Sequence, residues 1–320
     1  MQIIAFKSPF NFLNLQKFAM FHRILHLVFT ASYLGVQAQQ AAHFPPSGAF
    51  DDGSGRMYFS GQMAFSLATF RDFATSPLFY NGPGLSVSTN ALYRSGRTDE
   101  RLELSFGIFS TFASVPNSDV LQSGGFSVFN TINLYYHHLF FIRKISNDQF
   151  RIKVGPAFNS TQNIRVNQGL FNNALGLENI ANLMIAASLV RDFSRLKDKK
   201  LNFYLFKFML PARRRELHVQ INSGILNFNY RPGYAYAYDG EIIGTETSPL
   251  NWALQNYRWN MNGWRLQTRL EWLWYLYNGN AFSLFYHWDA AHAPGQFEAF
   301  QMAVHRMGFS YYFERKIKQL

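Results

Sequence analysis

The sequence predicts an all-β fold, an antiparallel up-and-down β-barrel of about twelve strands that crosses a membrane. Three observations carry that expectation. Of 320 residues, 18% are aromatic and only 15% charged, against the quarter usual for soluble domains, so the chain is built for a solvent other than plain water. Past residue 38 no stretch of 18 apolar residues occurs, which excludes a helical membrane protein on length. What recurs instead is alternation with period two, the mark of strands. Cysteine is absent, which removes disulfide staples, thiolate nucleophiles and cysteine zinc sites together.

In the run from Arg101 to Phe109, residues 102, 104, 106 and 108 are large and apolar, and residues 101, 103, 105 and 107 are charged or small. Leu217, Val219 and Ile221 likewise oppose Glu216, His218, Gln220 and Asn222. From Trp264 to Trp274, Arg265, Gln267, Arg269 and Glu271 share a face opposite Trp264, Leu266, Leu270, Trp272 and Trp274. A soluble sandwich alternates too, so the direction of burial has to be read from side-chain size. The apolar face is long Leu, Phe and Trp, whereas the polar face mixes charges with Gly, Ser and Asn, small residues suited to a crowded interior. That inside-out pattern is the signature of a barrel with lipid outside and a polar lumen, in which closure satisfies every backbone group and leaves no edge.

Strands are expected near 57–69, 84–94, 101–112, 126–142, 150–160, 181–192, 200–209, 216–228, 233–241, 264–277, 281–290 and 297–313, with counts of ten or fourteen as alternatives. The weakest is 233–241, kept because an odd count would break the turn polarity. Short connections at 95–99, 144–148, 194–199, 231–233 and 278–280 then share a periplasmic rim. Longer ones at 70–83, 113–125, 161–180, 242–263 and 291–296 share the outer rim, joined there by the short 210–215. Gly96 suits the first central position of a type II′ turn, pairing Arg94 with Asp99 and Asn90 with Glu103. At the next readable hairpin, a loop ending at Asn280 is preferred because it sets Asp289 opposite Arg269, His287 opposite Glu271, Tyr286 opposite Trp272 and Trp288 opposite Leu270.

These phases put Arg101, Glu103, Arg151, Lys153, Glu216, His218, Arg265, Arg269, Glu271, His287 and Asp289 in the lumen, with Arg306 a further candidate. A slight excess of base over acid would favour anionic solutes in an open pore. The plainer reading is that the charges pair across a narrow interior, because charges removed from water must be matched. Arg213, Arg214 and Arg215, at a connection assigned to the outer rim, are candidates for lipopolysaccharide phosphates, since guanidinium forks bind phosphate bidentately; the alternative is a solvated turn. The cluster from Lys197 to Lys200 falls on the periplasmic rim. All six Trp lie between 252 and 288, and Tyr234, Tyr236 and Tyr238 share a face, as interfacial girdles do. Trp252, Tyr257 and Trp259 could alternatively form a glycan platform.

No catalytic, cofactor or metal site is expected. His287, Asp289 and Glu271 could form an acid–base group, but His287 is placed inward with no Ser beside it, and His137 and His138 point to opposite faces. Neither a Gly-x-Gly-x-x-Gly nor a Gly-x-Ser-x-Gly motif occurs. Nucleic acid is not an expected partner.

Residues 1–38 hold Lys7, Lys17 and Arg23 and no acid, so without them the net charge falls from +11 to +8. The basic Met20-Phe-His-Arg23, the apolar run Ile24–Gly35 and the small-residue end Val36-Gln37-Ala38 read as a secretory signal peptide, with Met20 as the natural start; a membrane anchor over 20–36 is the alternative. The expected organisation is signal peptide 1–38, a short periplasmic segment 39–56, barrel 57–313 and tail 314–320. With its alternating strands and the aromatic final strand Met307-Gly-Phe-Ser-Tyr-Tyr-Phe313, the chain resembles outer-membrane β-barrel proteins of Gram-negative bacteria, and its length and Asn- and Tyr-rich loops look like those of the Bacteroidota. The resemblance implies residence in the outer membrane, where lipids and lipopolysaccharide are partners. It departs from that class in that Glu314 to Leu320 follow the aromatic Phe313. The expected function is a channel for small polar or anionic solutes. The alternatives are a non-conducting structural or secretion-associated barrel that binds an envelope protein and, further off, an outer-leaflet lipid enzyme.

Overall fold

The computed structural model describes residues 55–113, 125–147, 150–167, 169–170, 175–195, 197–203, 206–210, 212–232, 257–294 and 299–315. The expected signal peptide, nearly all of the 39–56 segment, residues 316–320 of the tail, Trp252 and the three tyrosines 234, 236 and 238 lie outside them. The strands are β1 (Arg56–Asp72), β2 (Ser76–Arg94), β3 (Thr98–Ala113), β4 (Phe126–Phe141), β5 (Phe150–Val166), β6 (Leu175–Asp192), β7 (Lys199–Phe203), β8 (Phe206–Leu210), β9 (Arg215–Pro232), β10 (Tyr257–Asn260), β11 (Trp264–Tyr275), β12 (Ala281–Pro294) and β13 (Ala299–Arg315).

Each long strand pairs antiparallel with its neighbour, β13 returns to β1, and β6 pairs with β9, so the sheet closes on itself. Because β10 and β11 lie one after the other along β9, they occupy a single position, and the wall has ten positions. The expected count of about twelve is corrected to ten. Segment 200–209 is not a wall strand. It forms β7 and β8, five residues each and paired only with each other. A spanning strand needs about 9 to 11 residues, and Lys199, Lys200 and Lys207 would put charge on both faces. Segment 233–241 lies outside the described residues; among those described, β9 is flanked by β6 on one side and by β10 and β11 on the other.

The alternation is read inside-out along every long strand. In β3, Leu102, Leu104, Phe106, Ile108 and Phe112 are exposed while Arg101, Glu103, Ser105, Phe109 and Thr111 are buried. Phe65 on β1 and Met307 on β13 are about 70% exposed, against 1% for Arg265. Strands extend further than expected at the outer end, and the loops expected at 70–83 and 161–180 are largely wall. A strand of 17 residues such as β1 rises roughly 55 Å, about 40 Å along the normal at the usual tilt, which exceeds the ~25 Å apolar band. The β1–β2 connection shrinks to a tight turn in which Asp72 Oδ1 accepts from Ala74 N at 3.2 Å.

At the first hairpin Arg94 faces Asp99 and Asn90 faces Glu103, as expected. The second hairpin is shifted by two residues from the expected register: Arg269 faces His287, Gln267 faces Asp289, Trp272 faces Leu284 and Leu270 faces Tyr286. The cause is Gly279, which takes φ +89° and ends the loop, with Gly279 N donating to Leu276 O at 3.1 Å and Leu276 N to Asn280 O at 2.7 Å. A three-residue loop with glycine in the left-handed position is a favoured hairpin connection. Because the shift is even, every side chain keeps its face.

The even number of wall positions brings the start of β1 and the end of β13 to one rim, together with the tight turns 95–97 and 277–279. With an even number of strands, barrels of this kind keep both ends of the wall on the periplasmic side. Without a wall strand at 200–209, the whole β6–β9 connection, 193–214, belongs to that rim. Arg213, Arg214 and Arg215 therefore stand on the periplasmic rim and not, as expected, on the outer one; the miscounted strand had inverted their polarity.

Candidate functional site

The lumen is the candidate site, and side chains bridge it from rim to rim. In the order β1 to β6, β9, β10/β11, β12, β13, the pairs β2 and β9, β3 and β11, and β5 and β13 stand diametrically opposed. Each of these pairs is joined by a hydrogen bond or ion pair across the interior.

Nearest the periplasm, Glu216 gathers its neighbours. Arg94 Nη1 approaches its Oε2 at 3.5 Å from the opposite wall, Arg151 Nη2 and Arg214 Nη2 donate to Oε1 at 3.2 and 2.6 Å, and Tyr275 Oη donates to Oε2 at 2.9 Å. His218 Nε2 lies 2.9 Å from the same oxygen. Lys153 Nζ donates to Asp99 Oδ1 at 2.8 Å and to Ser95 O at 2.7 Å. One level up, Arg101 reaches Glu271 at 3.5 Å and Arg269 Nη1 donates to Glu103 at 3.2 Å, two cross-lumen pairs lying side by side. Ser283 Oγ and Tyr312 Oη each donate to Glu271 at 2.6 Å. Above these, Gln220 Nε2 donates to Tyr135 Oη at 2.6 Å and Asn222 Nδ2 to Gln267 at 3.1 Å.

Arg265 then holds Asp289 with a fork, Nε to Oδ1 at 2.9 Å and Nη2 to Oδ2 at 2.6 Å, and also donates to Thr161 at 2.7 Å and Asn182 at 3.2 Å. Arg306 lies 4.0 Å from Asp289 and 3.4 Å from His287 Nδ1. At the outer end Asp72 is shared by Arg165 at 2.6 Å and Arg231 at 3.0 Å, and Arg165 also pairs with Glu178. Phe70, Tyr80, Phe109, Phe129 and Phe300 pack around this group, with Phe70 stacked on Tyr80 at 5.0 Å and Arg165 5.1 Å above Phe300. Two cavities in the central levels, each of about 20 Å³, have room for roughly one or two waters.

Every residue expected in the lumen faces it, with Arg151 and His287 the least buried. The structure brings them into one connected system, but His287 meets Arg306 and not Glu271. Among the described residues the buried bases Arg94, Arg101, Lys153, Arg165, Arg231, Arg265, Arg269 and Arg306 nearly balance Asp72, Asp99, Glu103, Glu178, Glu216, Glu271 and Asp289. Several of these escaped the sequence reading. Asp72 and Arg165 continue the inward phases of β1 and β5 beyond where those strands were thought to end. Arg231 is hidden by a bulge: Leu183 pairs with Leu226 and Met184 with Gly224, so Ile225 is extra and the inward phase of β9 changes from even to odd residues. The inward phenylalanines at the outer end were unexpected, since aromatics had been assigned to lipid.

On the outer wall Trp272 lies between Phe193, at 5.1 Å, and Trp274, at 6.1 Å, and Trp274 stacks on Phe282 at 4.8 Å, a girdle near the periplasmic rim. A closed wall that is apolar outside and polar inside meets the requirements of lipid, where no backbone group can be left open. The protein is an integral β-barrel of the cell outer membrane.

No family model and no curated protein matches the sequence. Among solved structures the chain is similar to the translocator domain of the autotransporter NalP from Neisseria meningitidis, at 9% identity and TM-score 0.34, covering 93% of this chain and 98% of that one. It is also similar to the beta domain of the Bordetella autotransporter BrkA, at 9% identity and TM-score 0.29, covering 81% and 100%. A Pseudomonas aeruginosa FadL homologue follows at 8% identity and TM-score 0.26, covering 85% and 95%.

Proposed function

We propose that this barrel does not conduct, and that it serves the outer membrane as a structural or secretion-associated component engaging an envelope partner. The observation that supports this is the bridged lumen. A solute would have to part Arg94 from Glu216, Arg101 from Glu271, Arg269 from Glu103, and Arg265 from Thr161 and Asn182, in succession, and breaking a buried ion pair costs roughly 3 to 5 kcal/mol. A passive pore for small polar or anionic solutes is disfavoured by the same pairing, since the bases that could draw anions in are held by acids. Among the described residues His287 faces the lumen beside Arg306, away from Glu271, and the outward His305 meets Tyr286 Oη at 2.7 Å with no Ser in the pair.

Planar-bilayer recording on the purified protein tests the reading. The wild type is expected to give no steady conductance. The quadruple variant Arg101→Ser, Glu103→Ser, Arg269→Ser, Glu271→Ser clears one level only and is expected to remain closed, because the Arg94–Glu216 and Arg265 levels stay bridged. Ion-selective current through the wild type that changes on Arg265→Glu or Arg269→Glu would restore the pore. Photocrosslinkers at the exposed Lys199 and Lys200 are expected to capture an envelope protein in stoichiometric yield.

A further inference from the structure

The periplasmic rim carries a cluster of arginines that the lumen network does not use. Arg195 and Arg213 face each other across an isolated bridge, each backbone N donating to the other's O at 3.0 Å. Phe193 N donates to Arg215 O at 2.9 Å, so Arg213 and Arg215 lie two apart on one edge, on the outward phase opposite to the inward Glu216. Of the four arginines in these segments only Arg214, on the inward phase, pairs with Glu216. Arg195, Arg213 and Arg215 form no ion pair among the described residues, and Nε of each, with Nη2 of Arg195, is buried without a hydrogen-bond partner. The neighbouring acids turn to the backbone, Asp192 Oδ1 accepting from Ser194 N at 2.7 Å and Asp198 Oδ1 from Ala212 N at 2.6 Å, and neither forms an ion pair with the three arginines.

Three guanidiniums on one edge without an ion-paired carboxylate repel one another, and an anion among them would relieve that repulsion. The position says which anion. Arg191 spreads over Phe193 at 4.6 Å and Phe150 at 5.0 Å, and Phe193 packs on Trp272, so the cluster begins where the aromatic girdle ends. That is the level of lipid headgroups. The planar forks suit the oxygens of a phosphate. On the periplasmic rim the phosphate belongs to a phospholipid of the inner leaflet, not to lipopolysaccharide.

We propose that Arg195, Arg213 and Arg215 form a binding site for the phosphate headgroup of an anionic phospholipid in the periplasmic leaflet. The site stands whether or not the lumen conducts, and it depends only on the rim to which the β6–β9 connection belongs.

The experiment is native mass spectrometry of the barrel released from nanodiscs made of equal phosphatidylglycerol and phosphatidylcholine. The wild type is expected to retain phosphatidylglycerol preferentially. Each guanidinium replaced by glutamine should weaken that preference roughly fivefold, and the triple variant Arg195→Gln, Arg213→Gln, Arg215→Gln should abolish it. Lys199→Gln with Lys200→Gln, on the adjacent hairpin, should leave it intact. If the triple variant fails to fold, judged by the mobility of unboiled protein in SDS gels, Arg213→Gln alone carries the comparison. Equal retention of both lipids by the wild type, or an undiminished preference in the folded variants, overturns the proposal. In a parallel arm, stabilisation of the detergent-held barrel by inorganic phosphate without any lipid preference would assign the site to free phosphate and overturn it as a lipid site.

Discussion

Arg265 has 1% of its surface exposed, and its fork closes on Asp289 while its remaining donors reach Thr161 and Asn182. A guanidinium can be held in such a place only because each of these donors meets an oxygen. Arg265→Met leaves Asp289 with only the longer 4.0 Å contact to Arg306, and is expected to lower unfolding stability in lipid vesicles by about 3 to 5 kcal/mol. The triple variant Arg265→Met, Asp289→Leu, Arg306→Met should recover most of that loss, because it also removes Arg306, whose ion pair is with Asp289, and so leaves no orphaned charge. A urea titration of the two variants and the wild type checks both statements. Gly279 is a different kind of residue-scale constraint. At φ +89° an alanine is strained by about 1 to 2 kcal/mol, and its Cβ would meet Glu314 as well. Gly279→Ala is therefore expected to destabilise the β11–β12 hairpin, seen as faster amide exchange at Leu276 and Asn280.

At the scale of the element, β3 states the barrel's solvent logic most plainly. Its even residues from Leu102 to Ile108 face lipid and its odd ones face the ion pairs of the lumen. Phe106 lies midway along the strand, and Phe140 is paired with Thr98 at the periplasmic end. Phe106→Arg should cost about 2 to 4 kcal/mol in a bilayer, whereas Phe140→Arg near the interface should cost about 0 to 1. Equal losses would mean that the lipid band is not centred on the strand. The β7–β8 hairpin obeys another rule, since it pairs with no wall strand. Replacing residues 197–211 by Asn-Gly should leave the barrel folded, because Asp192 already pairs with Glu216 and Arg195 with Arg213. The gel mobility of the unboiled protein reports it.

For the whole molecule, closure fixes what the lumen can be. Ten wall positions bring opposite strands near enough for one arginine and one glutamate to meet across the middle. Two more strands would have widened the interior and left the same residues lining an open passage. Strand count therefore decides between a passage and a packed core, and the bilayer recording acts at this scale. The count also decides which rim each connection belongs to, and so which leaflet the arginines 213–215 can meet.

Which face of each strand is polar was fixed by the order of residues alone, because a period of two leaves only two choices and the long apolar side chains settle between them. The inward placement of Arg101, Glu103, Lys153, Glu216, Arg269 and Glu271, and the register of the Arg94–Asp99 hairpin, followed from that order. Pairing was not legible. Whether 200–209 joins the wall depends on β6 and β9 finding each other, whether Arg231 faces inward depends on one extra residue at Ile225, and whether His287 meets Glu271 or Arg269 depends on where Gly279 turns the chain. These are long-range or backbone events. A strand's own sequence specifies a face, whereas its partner, its level and the width of the lumen exist only once the sheet has closed.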